Sequence, residues 1–330
     1  MTVLITGGAG FIGSHLAEHL LGRGEKVYVV DDLSTGSMDN IAHLVDHPNF
    51  FYEIDTIMNE RLMERLIQRV DVIFHLAAAV GVKLIVEEPI KCITTNIMGT
   101  NLVLQLAYEM GKKKVLISSS SEVYGKNNVV PFKEGDDRIM GPTTKLRWSY
   151  ATSKAVDEYL GLTYYSKKKL PVIIVRLFNT VGPKQTGRYG MVIPRFVKQA
   201  LLSQPMTVYG DGSQRRCFIN VRDVVNALIS LGDNPKAVGE IFNIGSQEDI
   251  AIKDLAQLVK HLIQSDSAIV FVPYDEAYEH GFEDMQYRVP DITKIQNLIK
   301  FKPEINLKET LLEIINYFRN VPEVLDREMV

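Results

Sequence analysis

Tyr150-Ala151-Thr152-Ser153-Lys154 places a phenol and an ammonium four positions apart, the spacing that brings two side chains onto one face of a helix. A nearby ammonium lowers the pKa of a phenol, so tyrosinate can take the proton of a substrate hydroxyl while the same carbon gives up a hydride. The pattern is common by itself, and its weight depends on its surroundings. Ser118-Ser119-Ser120-Ser121-Glu122-Val123-Tyr124-Gly125 follows an apolar run, and a serine there, Ser120 first, is placed to share that proton. The other serines suit turn chemistry.

A hydride needs an acceptor, and the first residues supply a site for one. Thr6-Gly7-Gly8-Ala9-Gly10-Phe11-Ile12-Gly13 follows the first apolar run directly and opens a helix near Ser14. Without side chains at Gly7, Gly10 and Gly13, the backbone can turn tightly and approach a pyrophosphate, which the free amides and dipole of the helix start favour. A second run ends in Asp31-Asp32, 18 positions after Gly13, where a carboxylate accepts hydrogen bonds from an adenosine ribose. That carboxylate repels a 2′-phosphate, so NAD is expected rather than NADP. Asp55, at the end of Phe50 to Ile54, is either an acceptor for the adenine amino group or a turn residue.

These residues need a frame. Val3 to Thr6, Lys26 to Val30, Asp71 to Leu76, Lys114 to Ser118 and Val172 to Phe178 are nearly continuous apolar runs with helical patterns between them. Such runs suit strands buried on both faces of a parallel sheet, and their alternation with helices predicts a doubly wound, Rossmann-type α/β domain. Trp148 to Tyr165 has helical spacing after a loop at Pro142 to Lys145. After about Val181, Gly182, Pro183, Gly187, Gly190 and Pro194 punctuate a long loop, followed by mixed short elements. The expected division is a cofactor domain at 1–180 and a smaller, mainly substrate-binding α/β region at 181–330, with strands such as Glu240 to Ile244 as candidates to rejoin the main sheet. Lys112 to Lys114 and Lys167 to Lys169 read as solvated corners between helix and strand.

Composition narrows the function further. With 46% hydrophobic and 23% charged residues, a net charge of −3 and a pI near 6.2, the 330-residue chain suits a soluble enzyme and has no basic face for nucleic acid. No apolar run approaches the roughly 20 residues that cross a bilayer, and a first strand starting at Thr2 leaves no room for a signal peptide. Cys92 and Cys217 form no CxxC pair and suit a reducing compartment, so a cytoplasmic location is expected. His15, Glu18 and His19 spell H-x-x-E-H, but they lie on the helix after the glycine turn with no third ligand in prospect, and no metal site is expected.

Taken together, TGGAGFIG, DDLSTG, HLAAAVGV, SSSSEVYG, YATSK, RLFNTVGP and GDGSQRRCFINVRD resemble the extended short-chain dehydrogenase/reductase family of nucleotide-sugar epimerases, dehydratases and decarboxylases, along essentially the whole chain. The resemblance implies oxidation of a UDP-sugar, usually at C4. It adds Phe11, Ile12 and Ala77 to the cofactor site, gives Lys154 the nicotinamide ribose, and gives Asn179 and Arg216 the sugar nucleotide, with Arg216 on a phosphate. It also implies a homodimer built on two helices of each subunit.

Within that family, Ser121-Glu122 is similar to UDP-glucuronate decarboxylases, where epimerases carry small or neutral residues and dehydratases an Asp-Glu pair. Oxidation at C4 makes a C6 carboxylate into a β-keto acid, and Ser121 and Glu122 are candidates to assist its loss of carbon dioxide. The stretch Gly141-Pro142-Thr143-Thr144-Lys145-Leu146-Arg147-Trp148-Ser149-Tyr150 is similar to the loop of decarboxylases that form 4-keto pentoses and of UDP-apiose/xylose synthases. Arg288 matches an arginine that those enzymes place near the reacting sugar; a phosphate-binding or surface arginine is the alternative. Ile85 stands where decarboxylases of this type generally have a tyrosine, which favours a UDP-sugar 4-epimerase as the second reading. Val80 stands near a reactive cysteine of apiose-forming relatives, so ring contraction is not expected.

Overall fold

In the computed structural model, which describes residues 1–81, 88–187, 191–273, 276, 285 and 287–321, the apolar runs are strands: Thr2–Thr6 (β1), Lys26–Asp31 (β2), Phe50–Ile54 (β3), Val72–His75 (β4), Lys114–Ser120 (β5) and Val172–Leu177 (β6). Ile85 and Gly190 lie outside the described residues. Val3, Leu4, Ile5, Val29, Ile73, Leu116, Ile117 and Ile174 are fully buried, because a strand covered on both faces has no solvent side to alternate with.

Ile241–Ile244 joins β6 in parallel register, and the seven strands run in the order Ile241–Ile244, β6, β5, β4, β1, β2, β3, with every neighbouring pair parallel. The order reverses at β1, which pairs with β2 on one side and β4 on the other. In sheets of this kind a crevice opens beyond the carboxyl ends of the strands at the reversal. Thr6 is level with Val30 and with His75, and His75 with Ile117, so Gly7, Asp31, Leu76 and the serines after Ile117 emerge along one edge.

Helices cover both faces. Phe11–Gly22 (α1), Val221–Asp233 and Thr293–Ile299 pack on one; Glu60–Gln68, Pro89–Glu109 and Arg147–Thr163 pack on the other. The later part of the chain adds small sheets made from Thr180–Val181 with Ile219–Asn220, Met206–Tyr209 with Ile269–Val272, and Arg215–Cys217 between Asp249–Ala251 and Tyr287–Arg288. They share a second core with Val192–Leu201, Ile252–Ile263 and Leu307–Asn320, formed around Phe196, Leu255, Leu311 and Phe318. Residues such as Val224, Phe242, Ile292 and Phe301 belong instead to the core under β1 and β2, so the chain crosses between the two units more than once. The fold is a Rossmann-type doubly wound α/β sheet with a smaller C-terminal α/β region. No described helix is long and apolar enough to cross a membrane, and both cysteines are free and buried.

Candidate active site

Gly7 leaves β1 at φ +73°, and a Cβ there would meet the Ala77 amide nitrogen at 2.8 Å. A Cβ on Gly13 would lie 2.2 Å from the Gly7 carbonyl oxygen, so α1 can start this close to the turn only on bare backbone. No side chain caps α1 and no acidic residue occupies its first turn, which leaves the first amides open to an anion. Asp31 closes the turn from the side: its Oδ2 accepts from the Ala9 amide at 3.0 Å and its Oδ1 from Leu33 at 2.8 Å. Burial raises the Asp31 pKa, and these amides act against that rise. Asp32 accepts from the Ser34 amide at 2.9 Å.

Gly7, Gly10, Phe11, Ile12, Gly13, Asp31, Asp32 and Ala77 line one end of a crevice of about 480 Å³. A turn open only to glycine, uncapped helix amides and a carboxylate at the next strand end fit the adenosine and pyrophosphate of a dinucleotide. Asp55 does not belong to this set. Its oxygens take the Thr56 amide and the Asn59 side chain, both at 2.7 Å, and Thr56 and Ile57 face the crevice in its place. Asp55 thus has the hydrogen bonds of a turn residue.

At the other end stand Ser118 to Ser121, Glu122, Arg147, Tyr150, Asn179, Arg216 and Arg288. Helix Arg147–Thr163 supplies Arg147 and Tyr150 from one face, and Ser119 and Arg176 both bond to Glu158, which fastens that helix to β5 and β6. Arg176 grips Glu158 through two parallel bonds of 2.9 and 2.7 Å. Ser118 donates to the His75 carbonyl oxygen, so Ser118 and Ser119 have structural bonds, whereas Ser120 bonds to Tyr150 and accepts from the Glu122 amide at 3.2 Å. Ser121 is buried in the crevice wall. Asn179 donates to the Cys217 carbonyl oxygen at 2.8 Å, and Arg216 to the Arg215 carbonyl oxygen at 2.9 Å.

Of the Tyr-Lys pair, Tyr150 lines the crevice. Lys154 is only 1% exposed, does not line the crevice, and donates to Asp157 Oδ2 at 3.0 Å. Burial raises the Tyr150 pKa, the Glu122 charge raises it further, and the Ser120 hydrogen bond lowers it. The carboxylate that accepts from Lys154 lies one helical turn beyond it.

Glu122 is the most heavily paired group of the site. Arg147 holds it through both terminal nitrogens, at 2.8 Å to Oε2 and 3.2 Å to Oε1, and Arg288 pairs with Oε1. Burial alone would raise the Glu122 pKa, but Arg288 and Arg147 outweigh it and hold the group at about 2. Arg288 is buried against Glu122 rather than lying on the surface. Arg147 stands three positions before Tyr150, one helical turn away, and that spacing was a signal available in the sequence. His15 is bonded to the Pro183 carbonyl oxygen at 3.0 Å, and Glu18 pairs with Lys184 and with His43 at 2.6 Å. Among the described residues, no group of three or more His, Cys, Asp or Glu could hold a metal ion.

Residues 4–314 match the family described as GDP-mannose 4,6 dehydratase. The chain belongs to this GDP-mannose 4,6-dehydratase family. One similar relative is the UDP-N-acetyl-alpha-D-glucosaminuronate decarboxylase of Bacillus cytotoxicus, 46% identical over 96% of this chain and 98% of that protein. UDP-glucuronic acid decarboxylase 1 of Arabidopsis thaliana is 37% identical over 97% of this chain and 70% of its own length. Among solved structures, the UDP-glucuronic acid 4-epimerase of Bacillus cereus, in complex with UDP-glucuronic acid and NAD, superposes with a TM-score of 0.87 at 28% identity, covering 97% of this chain and 100% of that one. This member of the GDP-mannose 4,6-dehydratase family is an enzyme of the extended short-chain dehydrogenase/reductase type.

Proposed function

We propose that the protein is an NAD-dependent decarboxylase of UDP-hexuronates, acting through a 4-keto sugar. The observation that carries this reading is the buried cluster of Glu122, Arg147 and Arg288 in the wall that also holds Tyr150 and Ser120. With Glu122 ionised, the three charges sum to +1, which complements one carboxylate. A neutral hydroxymethyl sugar has no use for that charge.

A dinucleotide held on the glycine turn, with Asp31 and Asp32 at its ribose, would take a hydride from C4 and give it back to C4 after carbon dioxide has left. Tyr150 takes the proton of the C4 hydroxyl, with Ser120 sharing it. Once C4 is a ketone, the C5–C6 bond breaks, its electron pair moves toward the C4 oxygen, and carbon dioxide leaves. Tyr150 and Ser120 donate to the oxygen where that charge collects, which is where preorganised donors matter most. Arg288 and Arg147 orient the departing carboxylate, Glu122 fixes the two guanidiniums, Ser121 is placed to return a proton to C5, and Asn179 and Arg216 hold the diphosphate. The higher identity to the N-acetylglucosaminuronate enzyme makes the 2-acetamido sugar the first to test, with UDP-glucuronate beside it.

We place a homodimer contact on Pro89–Glu109 and Arg147–Thr163, which pack together and leave Ile90, Met98 and Tyr159 more than half exposed. The free, buried cysteines suit the cytoplasm. Mass spectrometry of each UDP-hexuronate incubated with the enzyme and NAD tests the reaction; retention of full mass with inversion at C4 would establish the 4-epimerase reading instead.

A further inference from the structure

Pro183 and Lys184 form the corner of a tight turn in which the Gln185 amide donates back to the Gly182 carbonyl oxygen at 3.4 Å. Lys184 sits there at φ +69°, a conformation that favours glycine or asparagine because a side chain crowds the backbone. A lysine occupies it instead. Its ammonium leaves the turn to meet the Glu18 carboxylate on α1 and the Asn40 carbonyl oxygen, the latter at 3.0 Å.

Further contacts fasten the turn to the cofactor end of the crevice. His15, one helical turn before Glu18, donates from Nε2 to the Pro183 carbonyl oxygen at 3.0 Å. Glu18 also takes His43 Nε2 at 2.6 Å, from the same segment as Asn40. The Asn40 side chain donates to the Ala9 carbonyl oxygen at 2.9 Å, and the Ser37 amide reaches that oxygen at 3.1 Å. Asn40 thus ties Lys184 to the glycine turn itself.

On its other side the turn joins the sugar-nucleotide end. Gln185 Nε2 donates to the carbonyl oxygen of Thr180, the residue after Asn179, at 3.0 Å. Thr180, Gln185 and Thr186 line the same crevice as Gly10, Asn179 and Arg216. A partly exposed ion pair adds little to stability, and a lysine at positive φ detracts from it, so stability alone gives no reason for this arrangement.

We propose that Lys184 and Glu18 are positioning residues that hold the Gly182–Gln185 turn onto α1 and so couple binding of NAD at one end of the crevice to binding of the UDP-sugar at the other. The proposal rests on the reading of the crevice as a joint site for these two ligands. A ligand that steadies the glycine turn steadies Asn40, Lys184 and Gln185 with it. A ligand held by Asn179 and Arg216 steadies the same turn from the opposite side, and linkage makes the effect mutual.

The test uses the NAD-loaded enzyme. Bound NAD is exchanged against isotopically labelled NAD with and without saturating UDP, and the ratio of the two rates is read. UDP is expected to slow exchange about tenfold in the wild type, less than about twofold in Lys184→Gly, and about tenfold again in Lys184→Arg. Glycine suits φ +69° better than lysine, so Lys184→Gly removes the ammonium without straining the turn. A Lys184→Gly protein that releases NAD faster, yet is slowed by UDP as much as the wild type, overturns the proposal in favour of a purely structural brace. Should that variant fail to fold, Glu18→Gln decides by the same criterion. A wild type that binds UDP with no change in NAD exchange overturns the coupling alone, whereas calorimetry that finds no UDP binding to the wild type defeats the joint-site reading and the proposal with it.

Discussion

Glu122 would be a prohibitive lone charge at its depth, and two arginines make it tolerable. Glu122→Gln leaves both guanidiniums without the carboxylate that positions them; its kcat is expected to fall about 10²-fold in a mass-resolved assay. The same pairing dictates a pH dependence. Because the folded pKa is about 2 against an ordinary 4.5, the pair stabilises the protein fully above about pH 4.5 and loses that contribution as pH falls toward 2. Urea midpoints measured across that window should drop in the wild type by more than in Glu122→Gln. At this scale the sequence was informative wherever chemistry and a strand end coincide, as at Gly7, Asp31 and Ser120. It was not informative for partners that arrive from elsewhere. Asp55 was open to two readings because a carboxylate after a strand caps a turn as readily as it meets a ligand; it bonds Thr56 and Asn59. The resemblance gave Lys154 the nicotinamide ribose, and its bond to Asp157, one turn on, is a contact that no short motif registers.

At the scale of elements, the glycine turn and α1 act as one piece. Gly13→Ala puts a methyl group 2.2 Å from the Gly7 oxygen, so the turn must open; NAD affinity measured by calorimetry is expected to fall roughly tenfold or more. Gly22→Ala, at the far end of the same helix with nothing within 4 Å of the added methyl, should leave NAD affinity unchanged. The strands of the main sheet were readable because burial on both faces forces an unbroken apolar run, and only their ends shifted: β5 continues through polar Ser119 and Ser120, which an apolar pattern cannot register. The strands of the C-terminal region were not readable in the same way. Thr180–Val181, Ile219–Asn220 and Tyr287–Arg288 are two residues each, too short to carry a period, and they exist because distant segments supply their hydrogen bonds.

At the scale of the molecule, Ile90 and Met98 stand exposed on the helix that packs against Arg147–Thr163, the helix of Tyr150. Met98→Asp combined with Ile90→Asp is expected to convert a dimer to a monomer in light scattering, whereas a wild type that is already monomeric would remove the proposed contact. Residues of one chain line both ends of the crevice. The measurement that tests the account most directly is mass spectrometry of UDP-N-acetylglucosaminuronate and UDP-glucuronate after incubation with the enzyme and NAD. The account predicts a UDP-sugar lighter by one carbon dioxide from at least one of them, and no such product from Tyr150→Phe. A product of unchanged mass inverted at C4, or one lighter by a molecule of water, would contradict it.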